Sequence, residues 1–382
     1  MHVFTNADIE RIPWPANSEG DHAQRVLIPL MRDGTRTYIS NVEVEVRVLV
    51  ADDIVLPLAI VDGPSELPHP SYVVSPTSHY VDYAKREVEL ELHDRPLLRR
   101  LFTPLLDLFR PLLRWSQIEK AVYVNNWLLS TNLYPRFPPG VSRALLELLT
   151  SAFPDHALVF RSVNHDLNTE LGNELRVLGF RAIFSRQVYI LDPRTGAHRR
   201  KKSYCKDRSL ARRMPYEWIN ASALTESNCS RLKRLYDDLY LDKYSRYNPQ
   251  FTEAFFRAAL SLGWLDLWAL RSEDRIDGIL GFVRCQGVMT TPLIGYDRSL
   301  PEERGLYRLI SLKLIEEAER LGLILHQSSG AAKFKKHRGS EPSIEYSFVF
   351  DRHLPHRRRL PWQLLAGFSE YVAVPLMRRF GL

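Results

Sequence analysis

Cysteine is scarce in this chain: Cys205, Cys229 and Cys285 are the only three in 382 residues, far apart and odd in number. They supply neither a disulfide framework nor the spacing of a structural zinc site, so reduced thiols, a cytoplasmic setting and no metal are expected. Long apolar runs are missing as well. No stretch reaches the roughly 18 residues a membrane-spanning helix needs, and Met1–Glu10 lacks the basic start and apolar run of a secretory leader, so a soluble protein is expected. Several catalytic signatures are also absent: the Gly-x-Ser-x-Gly elbow, a Gly-Lys-Ser/Thr phosphate loop, a His-Glu-x-x-His helix and a dinucleotide fingerprint. The twelve histidines are scattered rather than clustered.

What is present describes a folded, basic protein. Hydrophobic residues make up 45% and charged residues 25%, the balance of a globular chain, and the length suggests two domains. The net charge of +7 favours anionic partners such as a nucleotide cofactor, RNA or an acidic membrane surface. Short β-branched runs at 47–51 and 54–61 predict early strands. Between Arg95 and Trp115, Leu97, Leu98, Leu101, Phe102, Leu105, Leu106, Leu108 and Phe109 recur at helical spacing, and Pro104 and Pro111 predict a broken, buried helix. Strands follow at 121–130, 157–160 and 181–191, alternating with helices at 141–153 and 168–178, the second closed by Gly179. Strand, helix, strand, helix, strand is an α/β unit, placed at residues 1–197.

Residues 198–215 are strongly basic, with eight Lys or Arg among the sixteen residues 198–213. They read either as a solvated linker or as a phosphate-contacting helix. A second unit at 216–352 repeats the alternation, with strands at 216–220, 265–270 and 276–285 and helices at 227–243 and 251–262. The tail, 353–382, is basic and amphipathic through Trp362, Leu364, Leu365, Phe368, Tyr371, Val372, Val374 and Leu376. It is read as a terminal helix docked on the body, a peripheral membrane anchor being the less favoured reading.

The densest pattern lies at 295–350. Ile294, Gly295 and Tyr296 end an apolar strand, 297–304 form a polar turn, and Gly305 opens a helix that runs to Leu321, with free backbone N–H groups at its start. A strand at 322–327, a basic loop holding Lys333, Lys335, Lys336 and Arg338, and a last strand at 343–350 complete it. Together these elements resemble the GNAT acyltransferase superfamily, in its two-domain branch of FemAB-like aminoacyl transferases and BioF2-like acetyltransferases. The resemblance implies an α/β fold of tandem GNAT-like domains, each a mixed sheet flanked by helices, followed by a helical tail.

It also implies a reaction: an acyl group passes from acyl-CoA to the amine of a small molecule by direct attack. An acyl carrier protein or an aminoacyl-tRNA is the alternative donor, a non-catalytic binding module is the rival from another class, and DNA is not an expected partner. In that scheme Leu293, Ile294, Gly295, Arg304, Gly305, Leu306, Tyr307, Arg308 and Lys333 hold the donor. The superfamily's tyrosine after the fifth strand is here Phe334, so Tyr296, Tyr346, Glu345 and His326 stand as acid or base candidates. Asn125, Asn126, Ser130, Arg161, Asn164, Arg186 and Gln187, with Lys243, Tyr244, Ser245, Asn248 and Lys336, are expected to meet the acceptor.

Overall fold

The computed structural model describes residues 1–91, 96–375 and 377. Its strands are β1 (His2–Phe4), β2 (Glu45–Ala51), β3 (Ile54–Val61), β4 (Ala121–Val124), β5 (Ala157–Asn164), β6 (Arg181–Leu191), β7 (Glu217–Asn220), β8 (Asp266–Ser272), β9 (Arg275–Cys285), β10 (Val288–Tyr296), β11 (Ile324–His326) and β12 (Glu341–Phe350). The chain forms two compact units. The first comprises Met1–Arg186, Ser245–Gln250 and Ile344–Leu382, and the second comprises Gln187–Tyr244 and Phe251–Ser343.

These bounds differ from the expected 1–197 and 216–352. The division falls inside β6, the last strand and the tail return to the first unit, and the basic stretch 198–215 belongs to the body of the second. Apolar residues explain the last point: Tyr204 and Leu210 of the Lys202–Ala211 helix are buried, which a solvated linker would not allow.

Both units follow one pairing series. In the first, β2–β3 and β3–β4 are antiparallel, β4–β5 is parallel and β5–β12 is antiparallel. In the second, β8–β9 and β9–β10 are antiparallel, β10–β11 is parallel and β11–β6 is antiparallel. This is the internal repetition that the alternation of elements suggested. Two-residue turns close the hairpins, and Asp52, Glu273, Gln286 and Gly287 adopt the positive φ such turns require.

All twelve strands belong to one mixed sheet, and within each unit helices cover the strands through a core of that unit's own. The first unit packs Leu56, Leu58, Val122, Val124, Leu158, Phe160, Leu175 and Phe348 together, and the second packs Leu280, Phe282, Met289, Ile310, Ile315 and Leu325. The Pro96–Trp115 helix runs unbroken through Pro104 and Pro111, correcting the expected break. Both prolines are exposed, on the solvent side of the helix. Leu108 is also exposed whereas Leu113 is buried and Leu106 and Phe109 are half-buried, so the described part of this helix buries one face only, while the side chains of Leu97, Leu98, Leu101, Phe102 and Leu105 lie outside the described residues, as does Leu376 of the tail. No described helix is long and apolar enough to cross a membrane.

Candidate active site

The second unit contains a fork in its sheet. Strand β10 pairs with β9 as far as Tyr296, with a bulge between Thr290 and Leu293 where the Thr291 hydroxyl donates to the carbonyl of Gly281 at 2.9 Å. Its parallel pairing with β11 covers only Val288–Thr290 against Ile324–His326. After His326 the chain turns to Tyr189 of β6, whose carbonyl accepts from the Gln327 amide at 2.9 Å. The β11-side edge of β10 from Leu293 to Tyr296 is therefore left without a strand partner among the described residues.

The Leu306–Leu321 helix begins beside this fork. Gly305 takes φ +64° at its start, and no side chain caps the first amides. One side of that start is covered, since a methyl added to Gly305 would lie 2.5 Å from Cδ2 of Leu210. Asp207, one turn before Leu210, accepts at 2.6 Å from Nε of both Arg308 and Arg338. The Arg338 guanidinium lies 3.3 Å from the centre of the Phe334 ring, Phe334 packs on Tyr307 at 4.7 Å and Tyr307 on Tyr296 at 6.0 Å. Burial raises the phenol pKa of Tyr244, Tyr296 and Tyr307, so all three stay protonated at neutral pH.

A family model for the acetyltransferase (GNAT) domain matches residues 197–336, nearly all within the second unit. The likeness to the GNAT family model therefore covers this region of the chain, under half of its length. FemX is 10% identical over 96% of this chain and 100% of its own, with a TM-score of 0.51, a likeness of fold across both units. A tandem GNAT protein from the clavulanic acid biosynthesis pathway is 11% identical, covering 90% and 92%, with a TM-score of 0.40. The C-terminal domain of a putative lysylphosphatidylglycerol synthetase from Agrobacterium fabrum is 12% identical, covering 60% and 77%, with a TM-score of 0.43. No curated relative matches the sequence.

Within the matched region the expected donor residues are dispersed in role. Leu293, Ile294 and Gly295 lie on the open edge, but Gly295 has a packing duty of its own: a methyl there would fall 2.5 Å from the backbone of Leu235 in the Cys229–Asp237 helix. Gly305 and Leu306 are buried at the helix start, and Arg308, expected to meet phosphate, is tied to Asp207. Arg304 bonds the Tyr216 hydroxyl at 3.3 Å. Of the basic loop, Lys335 is buried against the carbonyls of Gln327, Ser328 and Ser329, Lys336 lies 6.0 Å from the Tyr189 ring and Lys333 is exposed. Four clustered cations thus leave two that face outward, because a folded loop uses buried cations to satisfy its own carbonyls and acids.

The acid and base candidates fall in different units. Tyr296 and His326 stand at the fork. The Ser328 amide donates to His326 Nδ1 at 3.2 Å, which puts the ring proton on Nε2. Glu345 and Tyr346 lie in the first unit, on the part of β12 that pairs with β5. Glu345 is 1% exposed and accepts from Arg186 Nε at 2.8 Å, a structural ion pair rather than a group poised to take a substrate proton.

Most of the expected acceptor residues prove to be staples of the first unit. Asn125 donates to the Leu133 carbonyl and accepts from the Trp127 indole, Asn126 donates to the Val73 carbonyl, and the Asn164 side chain accepts from the amides of Asp166 and Leu167. Ser130 offers its carbonyl to Arg186 at 2.7 Å. Ser245 and Asn248 lie in a segment fastened by Asn41, whose amide donates to the Asn248 carbonyl and whose oxygen accepts from the Gln250 amide, both at 2.9 Å. Gln187, Lys243 and Tyr244 belong to the second unit, where Gln187 donates to the Tyr189 hydroxyl at 2.8 Å. Arg161 is buried in the first unit.

Two residues that organise these regions escaped the sequence reading. Asn41 gave no signal. Asp207 gave one: it is the only acid in the basic run, three residues from Tyr204 and from Leu210, hence on the buried face of that helix.

Proposed function

We propose that this protein transfers an acyl group from a thioester donor, acyl-CoA or an acyl carrier protein, to the nitrogen of a small-molecule amine. The open edge of β10 from Leu293 to Tyr296 carries this reading, because an extended pantetheine arm pairs with unpartnered backbone N–H and C=O groups as an added strand would. The uncharged amine attacks the carbonyl carbon, the carbon–sulfur bond breaks, and the departing thiolate takes up a proton. Tyr296, protonated and at the end of the open edge, is the group assigned to supply it. The Tyr307 and Phe334 rings give that end an apolar lining suited to an acyl chain.

The test is incubation with radiolabelled acetyl-CoA and a mixture of primary amines. Label should pass to an amine, and Tyr296→Phe should lower that rate about 100-fold with donor affinity unchanged. Absence of both binding and transfer, with CoA-borne and carrier-borne thioesters alike, overturns the reading. One observation favours an aminoacyl-tRNA donor as the second reading. Lys201, Lys202, Lys206, Arg208, Arg212 and Arg213 are exposed on and beside the Lys202–Ala211 helix, whereas Arg308 and Arg338 are both held by Asp207. Affinity for tRNA that falls steeply with salt, and is lost when Lys202 and Lys206 become Glu, would establish it.

A further inference from the structure

Strand β5 carries a bulge where it pairs with β12. Opposite Tyr346–Phe348 of β12 the register slips by one between Val163 and Phe160, so Arg161 and Ser162 face the single residue Ser347. Ser162 adopts φ +61°, a left-handed conformation that costs a non-glycine residue energy and persists where the surroundings impose it. The Tyr134 hydroxyl donates to the Arg161 carbonyl and holds the bulge in place.

The bulge presents polar atoms without partners. Arg161 is 3% exposed, and its Nε and Nη1 find no acceptor among the described residues, nor does the buried Ser162 Oγ find a partner. Its guanidinium carbon lies 5.4 Å from the centre of the Tyr72 ring. Buried guanidinium donors are ordinarily all satisfied, and a buried charge is ordinarily paired.

Charge counting gives the sign and size of what would satisfy them. Among the described residues, the groups acting on Arg161 are Tyr72 and Tyr123, uncharged phenols at neutral pH, and the charged Arg186 and Glu345. Glu345 is engaged by Arg186, whose remaining contacts go to the Ser130 carbonyl and the Thr131 hydroxyl. His79 is neutral, its pKa lowered to about 3 by burial and by the charges of Arg161 and Arg186. Two cations and one anion leave a buried charge of plus one.

We propose that Arg161 and the Ser162 hydroxyl form a binding site in the first unit for a small carboxylate ligand. A monoanion neutralises the cluster, whereas a phosphate dianion would replace one buried excess charge with another. Two donors on Arg161 and one on Ser162 match the acceptor capacity of a carboxylate. The site stands apart from the thioester reading, since every residue in it belongs to the first unit.

The experiment is thermal unfolding of the full-length protein in sodium acetate, sodium phosphate or sodium chloride at matched ionic strength and about pH 8.5, where inorganic phosphate is a dianion. Acetate should raise the midpoint by a few degrees over chloride, saturating with concentration, while phosphate should not. Arg161→Gln should abolish the acetate increment. Ser162→Ala, which keeps the cation, should weaken the half-saturating acetate concentration roughly threefold to tenfold. Equal midpoints for the wild-type protein in acetate and chloride overturn the proposal, as does an undiminished increment in Arg161→Gln. An equal or larger effect of phosphate overturns the carboxylate assignment. The wild-type series needs no variant, so poor folding of Arg161→Gln does not shield the proposal, and loss of acetyl transfer alone leaves it unaffected.

Discussion

One carboxylate, Asp207, holds two guanidinium groups, and the Arg338 side chain is itself 6% exposed. Asp207→Asn keeps the shape and removes the charge, leaving a buried cation with only the Phe334 ring and carbonyl beside it. Removal of one partner from a buried pair costs about 3 kcal/mol or more, so the urea midpoint should fall accordingly, and the loss should be smaller for Arg308→Gln, whose side chain is 37% exposed. His79 offers a second measurement at this scale. The unfolded chain binds a proton near pH 6.5 and the folded protein only near pH 3, so stability is full above the first value and is lost as pH falls toward the second. Between pH 7 and pH 5 the loss should be about 2 kcal/mol, and His79→Gln should flatten that part of the profile. An unchanged slope in the variant would show that His79 already titrates normally when folded.

Elements meet closely at Gly295, where strand β10 touches the backbone of the Cys229–Asp237 helix. A methyl at 2.5 Å from the Leu235 carbonyl carbon and oxygen cannot be absorbed by a side-chain rotation, so Gly295→Ala should cost about 2–3 kcal/mol by pushing the helix off the strand. Gly322→Ala is the comparison: it has φ +67° but open space around it, and should cost only about 1 kcal/mol in the same denaturant titration. Such elements were legible where their pattern is local. β3 and β6 fall at the expected residues because Ile54, Val55, Ile60 and Val61 in the one, and Ile183, Phe184, Val188, Tyr189 and Ile190 in the other, are β-branched or aromatic, and Asp53, Asp62, Gly179 and Asp192 bound them. β4 stops at Val124, not at residue 130, because Asn125 turns to φ +56° and its amide is spent within the loop. The Ser18–Asp33 helix was not read from sequence: Ala23, Val26, Leu27, Leu30 and Met31 have its period, but Pro29 lies inside it. At the site, the strand, loop and helix around Gly305 were legible, whereas the fates of Arg308 and Arg338 depend on an acid about a hundred residues earlier in the chain. Charge runs show which residues are cationic. They do not show which cations a fold will spend on itself.

At the scale of the molecule, the path of the chain matters more than its division into halves. The first unit is finished by residues made last: β12 pairs with β5 from Glu345 to Phe350, and Phe348 and Phe350 lie in its core. Ser245–Gln250 also returns to it, held by Asn41 and by the Tyr72 amide on the Tyr247 carbonyl at 3.0 Å. Residues 1–197, a self-contained domain by sequence, would leave one edge of β5 unpaired and two aromatic core positions empty. An exposed hydrophobic edge of that kind aggregates, and losing two buried aromatics costs about 3–5 kcal/mol each, comparable to the whole stability of a domain. The fragment 1–197 should therefore show no cooperative urea transition and should aggregate at micromolar concentration. Joining residues 1–191 to 341–375 through a flexible linker of about 15 residues, long enough to leave the strand free to reach its place, should restore a cooperative transition monitored by near-ultraviolet circular dichroism. Cooperative unfolding of 1–197 alone would mean that β12 adds stability without completing the fold, and that the first unit forms before the last strand is made.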